Sequence, residues 1–177
     1  MNIIEAFIKF NKQLIIIISG LSGTNKTKIA QWMAKDFNLK YINIEKYIDE
    51  TKIKENDKNP DNIDIIDWKK FNNNVNENKN VIISGTYFPE DKLEFKPDFH
   101  LHIKISKQNL VVKRNIKEED ELKTLNKIIY PYYLDIIKIM KIDKYLNLNE
   151  YKIEELYEQS CEFIFNNISI KLKNLTN

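Results

Sequence analysis

Lys26 and Thr27 close the run Gly20-Leu21-Ser22-Gly23-Thr24-Asn25-Lys26-Thr27, where residue types and spacing point directly to chemistry. The run follows the apolar stretch Leu14 to Ile18 and precedes the helix-like Lys28-Ile29-Ala30-Gln31-Trp32-Met33. Strand, glycine loop and helix N-terminus in that order form an anion cradle. Loop N–H groups surround phosphates, the lysine reaches the β- and γ-phosphates, and the threonine hydroxyl ligates Mg²⁺. Gly20, Leu21, Ser22, Gly23, Thr24, Asn25, Lys26, Thr27 and Lys28 are therefore the expected nucleotide-binding residues, with ATP and Mg²⁺ as cofactors. The pattern G-x-x-x-x-G-K-[ST] has glycine where this chain has Asn25. Asparagine visits left-handed backbone conformations more readily than other side-chain-bearing residues, so the loop is expected to close with an added side chain beside the γ-phosphate.

These groups act only on a rigid scaffold, and the hydrophobic pattern describes one. Helix is expected over Ile3–Asn11, strand over Leu14–Ser19, helix over Lys26–Phe37 and a short strand over Tyr41–Ile44. A helix through Trp68–Asn76 leads to a buried strand, Val81–Ser84, and the alternation from Phe99 to Ile105 reads as another strand. Helices follow over Gln108–Lys117 and Leu122–Lys141, then a weak strand near Tyr145–Asn147 and a helix over Tyr151–Phe165. Alternating strands and helices imply an α/β fold: a parallel sheet of about five strands, helices on both faces and a small helical lid over roughly residues 107–125. Ligands of such sheets sit at the carboxyl ends of the strands, where the glycine loop also falls. The polar stretches Glu55 to Asp61 and Asn72 to Asn80 read as loops, Glu118 to Glu121 as an exposed turn, and 1–177 as one domain. The tail Ile168 to Asn177 alternates weakly and reads as an added strand or a pairing surface for another subunit.

Composition narrows the partners. A formal charge of +2, with lysine and acid interspersed, gives no basic stripe for nucleic acid, and no apolar run is long enough to span a membrane. A small-molecule partner, a cytoplasmic location and a monomer or homodimer are expected. Cys161 is alone, which excludes a disulfide framework. His100 and His102 share a strand face, but without a third histidine and with Cys161 remote in sequence they lack the ligands of a zinc site. Tyr130-Pro131-Tyr132-Tyr133 reads first as core packing around a proline-bent helix, and second as a platform for a base.

The order of these features resembles the uridine kinase and nicotinamide riboside kinase branch of the P-loop kinases, over roughly Leu14 to Asn149. Four segments carry the resemblance: the loop Gly20 to Thr27; Ile44-Glu45-Lys46-Tyr47, like a strand-end acid followed by an aromatic; Asn59-Pro60-Asp61 with Asp67-Trp68 and Val81 to Gly85; and Asp98 to Ile103 with Lys113-Arg114-Asn115. All three glycines and the one arginine of the chain fall within them.

The resemblance implies an ATP- and Mg²⁺-dependent phosphotransferase acting on a hydroxyl of a nucleoside-like acceptor, with Lys26, Glu45 and Arg114 as catalytic residues. Glu45 matches the carboxylate that accepts the hydroxyl proton, or holds Mg²⁺ through water alongside Thr27, and Asp49 is the nearest substitute. Arg114 matches the lid guanidinium that stabilises charge during transfer, with Lys113 and Lys117 adding charge from the same helix face. Two positions depart from the family: Ser84 stands where relatives carry glutamate, and Asn59 where they carry a substrate-contacting histidine. The alternatives are a nucleotide-binding module without turnover, and a kinase for a nucleoside monophosphate or other metabolite. The second of these usually needs more than one arginine.

Overall fold

The computed structural model describes residues 1–55 and 57–175, and at its centre lies β1 (Leu14–Gly20), buried along its whole length. A strand covered on both faces needs apolar residues at successive positions, which the uninterrupted Ile15 to Ile18 supplies. Around it lie β2 (Lys40–Asn43), β3 (Asn80–Gly85), β4 (Phe99–Lys104) and β5 (Lys144–Asn147), all parallel, in the order β2-β3-β1-β4-β5. Ile16 of β1 is in register with Ile82 of β3 on one side and Phe99 of β4 on the other.

Each face of the sheet has its own core. Leu14, Ile16 and Ile18 pack with helices α1 (Ile3–Asn11), α2 (Lys26–Phe37) and α7 (Ile153–Leu175) through Phe7, Ile29, Met33 and Ile164. Ile15 and Ile17 pack on the other face against Phe71 and Val75 of α3 (Trp68–Asn78) and against Phe88. The connection 86–98 between β3 and β4 carries the 3₁₀ turn Glu90–Lys92 rather than a crossover helix. Buried Asn72 of α3 holds that connection in place, donating to the Lys92 carbonyl at 2.9 Å and accepting the Glu94 N–H at 3.0 Å. After β4 come α4 (Lys107–Lys113), α5 (Glu119–Thr124), a π-helical turn Leu125–Ile129 and α6 (Tyr130–Ile137).

The parallel α/β sheet expected from the sequence is present, and several local expectations need correction. The polar stretch beginning at Asn72 is helical to Asn78, because Phe71 and Val75 supply one buried face. Residues 119–121 form the first turn of α5, where acids suit the positive end of the helix dipole. The single helix expected over Leu122–Lys141 is divided by the π turn, which ends where Pro131 has no N–H to continue it. The tail is no strand: α7 continues through Leu175, with Leu156, Ser160, Ile164 and Ile168 buried at four-residue spacing, and Thr176 and Asn177 lie outside the described residues. Among the described residues no helix is long and apolar enough to cross a membrane.

His100 and His102 point to Ser19 of β1, whose Oγ lies 2.7 Å from His100 Nε2 and 2.7 Å from His102 Nδ1. Burial pushes the pKa of His100 down to about 4 and of His102 down to about 3. An unfolded histidine titrates near 6.5, so below that pH the unfolded chain takes up protons that the folded chain refuses. Their contribution to stability is therefore complete above about pH 6.5 and falls towards pH 4, by up to about 1.4 kcal/mol per pH unit for each histidine. Asp61, whose carboxyl is raised by burial, works in the opposite sense at the acid end. The urea midpoint is expected to be lower at about pH 5 than at about pH 7, with a smaller difference in His100→Gln. Equal midpoints in the parent protein would contradict the burial of neutral imidazoles.

Candidate active site at the carboxyl end of the sheet

The glycine loop leaves β1 at Gly20 and turns through Leu21, whose carbonyl accepts the Thr24 N–H at 3.2 Å and the Thr24 hydroxyl at 2.7 Å. Asn25 takes the left-handed conformation expected of it (φ 62°, ψ 23°) and makes no side-chain cap bond. With no acid in the first turn of α2 either, the N–H groups at its start are left for an anion. Gly23 has φ +93°, and a Cβ there would lie 3.1 Å from Arg114 Cγ. The backbone conformation favours glycine, and the arginine that crosses it would have to yield a few tenths of an ångström to a side chain there.

Arg114 reaches the loop from the far side of the sequence. It is the C-cap of α4, followed by Asn115 in a left-handed conformation, and its Nε donates to the Ser22 carbonyl at 2.7 Å. The helix expected to run to Lys117 thus stops at Lys113, and Lys117 does not share a helix face with it. Burial lowers the Arg114 pKa, and Asp61 and then Tyr87 oppose that effect. An open groove of about 560 Å³ runs beside this contact, lined by Ser22, Gly23, Lys58 and Arg114 among others.

Lys26 is 6% exposed, and no carboxylate oxygen among the described residues lies within ion-pair distance of it. Burial lowers its pKa, while Asp61 and, less strongly, Glu45 pull it back up. Lys26, Glu45 and Arg114 are therefore brought into one electrostatic neighbourhood, with a fourth member, Asp61, to which the sequence analysis assigned no role. Thr27 is half-buried and its hydroxyl has no hydrogen-bond partner among the described residues, whereas Lys28 is exposed with its ammonium 5.0 Å over the Trp32 ring.

Asp61 is held from two sides. Asn59, buried rather than open to a substrate, accepts the Asp61 N–H at 3.1 Å, and Thr86 donates its hydroxyl to Asp61 Oδ1 at 3.2 Å. The other oxygen, Oδ2, is buried without a partner among the described residues, as is the Tyr87 hydroxyl. Burial raises the Asp61 pKa, and Lys26 is the strongest influence against it. Glu45, Asp61, Thr86 and Tyr87 border a cavity of about 30 Å³, room for about one water. The sequence marked Asp61 only by its place in the run Asn59-Pro60-Asp61, which does not distinguish it from a solvated acid.

Glu45 is exposed on a 3₁₀ turn, Ile44–Tyr47, that begins at the last residue of the expected strand, and Asn43 Oδ1 accepts its N–H at 3.0 Å. Gly85 permits this approach, since a Cβ there would lie 2.3 Å from Ile44 Cγ2. Asp49, the substitute acid, instead caps the next turn, accepting both the N–H and the hydroxyl of Thr51. Ser84 is buried with its hydroxyl 2.6 Å from that of Tyr41 and brings no charge to the site.

No family model matches the chain, and no curated protein matches it. Solved structures do. A sugar kinase from Janibacter sp. HTCC2649 aligns over 86% of this chain and 94% of its own at 16% identity, with a TM-score of 0.59. A gluconokinase from Sinorhizobium meliloti 1021 covers 92% and 95% at 9% identity and TM-score 0.58. Shikimate kinase from Aquifex aeolicus vf5 covers 87% and 98% at 16% identity and TM-score 0.56. The chain has the P-loop kinase fold, and the likeness extends across several branches of it rather than singling out the uridine and nicotinamide riboside kinases.

Because the Asn25 side chain makes no cap bond, its value lies in its backbone. Asn25→Ala is expected to cost about 1 kcal/mol and Asn25→Gly close to nothing, read as shifts in denaturant midpoint. Equal loss in both would show that the amide group itself holds the loop.

Proposed function

We propose that the protein is an ATP- and Mg²⁺-dependent phosphotransferase that acts on a hydroxyl of an uncharged, nucleoside-like small molecule. The observation that carries this reading is the buried, unpaired Oδ2 of Asp61 within electrostatic reach of Lys26, the lysine of a phosphate-binding loop. The residues fit the cofactor. The start of α2 is uncapped, Lys26 has no ion pair and the Thr27 hydroxyl is free among the described residues. No cluster of three or more metal-binding side chains occurs among those residues, as suits an ion held largely by water and phosphate. Bound Mg²⁺-ATP supplies the transferable phosphoryl group and the cation that neutralises its oxygens.

The chain's own residues divide the remaining work. Lys26 and the loop N–H groups orient the phosphates. Asp61 accepts the proton of the acceptor hydroxyl at Oδ2, because burial has moved its affinity for a proton towards neutrality. Tyr87 offers its unpaired hydroxyl to a second polar atom of the acceptor. Thr27 and Glu45 would hold the metal, and Arg114, anchored by Nε, turns the rest of its guanidinium to the charge that develops in transfer. The carboxylate at Asp61 also compensates for the charge missing at Ser84. A second reading assigns the base to Glu45, favoured by its influence on the same lysine. An acceptor already carrying phosphate is disfavoured, because the chain has one arginine, which this reading assigns to the transferred group.

The deciding experiment is mass-spectrometric detection of product from Mg²⁺-ATP and a panel of nucleosides, ribosides, sugars, hydroxylated ring acids and nucleoside monophosphates. One new monophosphate is expected, lost in Lys26→Ala. In Asp61→Asn, kcat should fall by about 10²–10⁴-fold, whereas Glu45→Gln should mainly raise the Mg²⁺ concentration needed. The reverse ranking would transfer the base to Glu45. ATP binding without product across the panel would leave a nucleotide-binding module without turnover.

A further inference from the structure

Two features remain outside that mechanism, the histidine pair of β4 and the tyrosine pair of α6, and they meet. We propose that α6 is a strut that fixes the phosphate-loop strand and the acceptor-side segment 57–66 relative to each other, with Tyr133 and Tyr132 as its two positioning residues. The term acceptor-side rests on the phosphotransferase reading; the mechanical linkage does not.

The Tyr133 arm is a continuous chain of hydrogen bonds. Ser19 Oγ lies 2.7 Å from His100 Nε2 and 2.7 Å from His102 Nδ1, so one hydroxyl links both rings. His102 Nε2 in turn lies 2.9 Å from the Tyr133 hydroxyl. The chain joins α6 to the residue directly before Gly20.

The Tyr132 arm runs the other way. Its hydroxyl accepts the Ile63 N–H at 3.0 Å and donates to Asn62 Oδ1 at 3.3 Å, two and one residues beyond Asp61. Asn62 in turn donates to Asp57 Oδ2 at 2.9 Å, and Ile63 accepts Trp68 Nε1 at 2.8 Å. Successive helix residues diverge by about 100°, so neighbouring tyrosines reach two separate parts of the site. Tyr87 bridges them, its ring 5.5 Å from that of Tyr132 and 6.4 Å from that of Tyr133. The cavity of about 30 Å³ at Asp61 admits little more than a water, so an acceptor enters only if segment 57–66 shifts, and Tyr132 holds that segment.

The test is hydrogen–deuterium exchange, with and without saturating Mg²⁺-AMP-PNP. In the free protein, Tyr133→Phe is expected to raise exchange at least threefold both in 20–27 and in 57–66, and Tyr132→Phe in 57–66 alone. Ser19→Ala breaks the chain at its far end and should reproduce the effect in 57–66 without touching that segment. It also serves as the second variant should Tyr133→Phe fold poorly. In Tyr133→Phe and Ser19→Ala, effects confined to the elements that contact the substituted residue would overturn the strut. Mg²⁺-AMP-PNP should slow exchange of 57–66 in the parent protein and not in Tyr132→Phe. Binding that leaves 57–66 unchanged in the parent protein also counts against the strut. Failure to bind would overturn the phosphotransferase reading, while the free-protein comparison would still decide the strut.

Discussion

A buried ammonium on which no carboxylate among the described residues closes is the constraint around which this end of the molecule is arranged. Lys26 leaves water because α2 packs on the sheet and starts immediately after the loop. Desolvating a cation is costly, and a direct ion pair would offset that cost while closing the site to phosphate. The structure takes an intermediate course. Asp61 and Glu45 act on Lys26 from beyond ion-pair distance, so the site stays electrostatically poised and open.

Each group near Lys26 is held by a bond that leaves its reactive part free. Asp61 is fixed through its N–H and through Oδ1, which leaves Oδ2. Arg114 is fixed through Nε, which leaves its terminal nitrogens, and Glu45 is placed through its backbone, which leaves the carboxylate. Such support from neighbouring polar groups is what lets a site hold its geometry without a ligand to organise it. Asn59 and Ser84 have supporting roles here: Asn59 orients Asp61, and Ser84 ties β3 to Tyr41 of β2.

The loop was legible because its function demands contiguous residues: strand, glycines, lysine and threonine must follow one another for the backbone to wrap a phosphate. Asn25 was legible for a similar reason, since a left-handed position admits few residue types. The helical tail was legible in principle, through the four-residue spacing from Leu156 to Ile168, but weak alternation over its final residues reads equally as strand. The role of Asp61 was not legible. A carboxylate in a polar stretch is ordinarily solvated, and only the fold brings Thr86 and Lys26 to it.

The sequence alone determined the parallel α/β architecture, the position of the phosphate loop at the end of a central strand, and the candidacy of Lys26, Glu45 and Arg114. The architecture, the loop and Lys26 follow from local periodicity and from the chemistry of contiguous residues, whereas Glu45 and Arg114 were implied by the resemblance to the nucleoside kinases. Tertiary structure decided which carboxylate is buried, what Arg114 is anchored to, and that two histidines serve a serine and a tyrosine rather than a metal. Those outcomes depend on contacts between residues up to 92 positions apart. Burial and hydrogen-bond direction at such contacts are set by the packing of whole elements, and no short stretch of sequence encodes them.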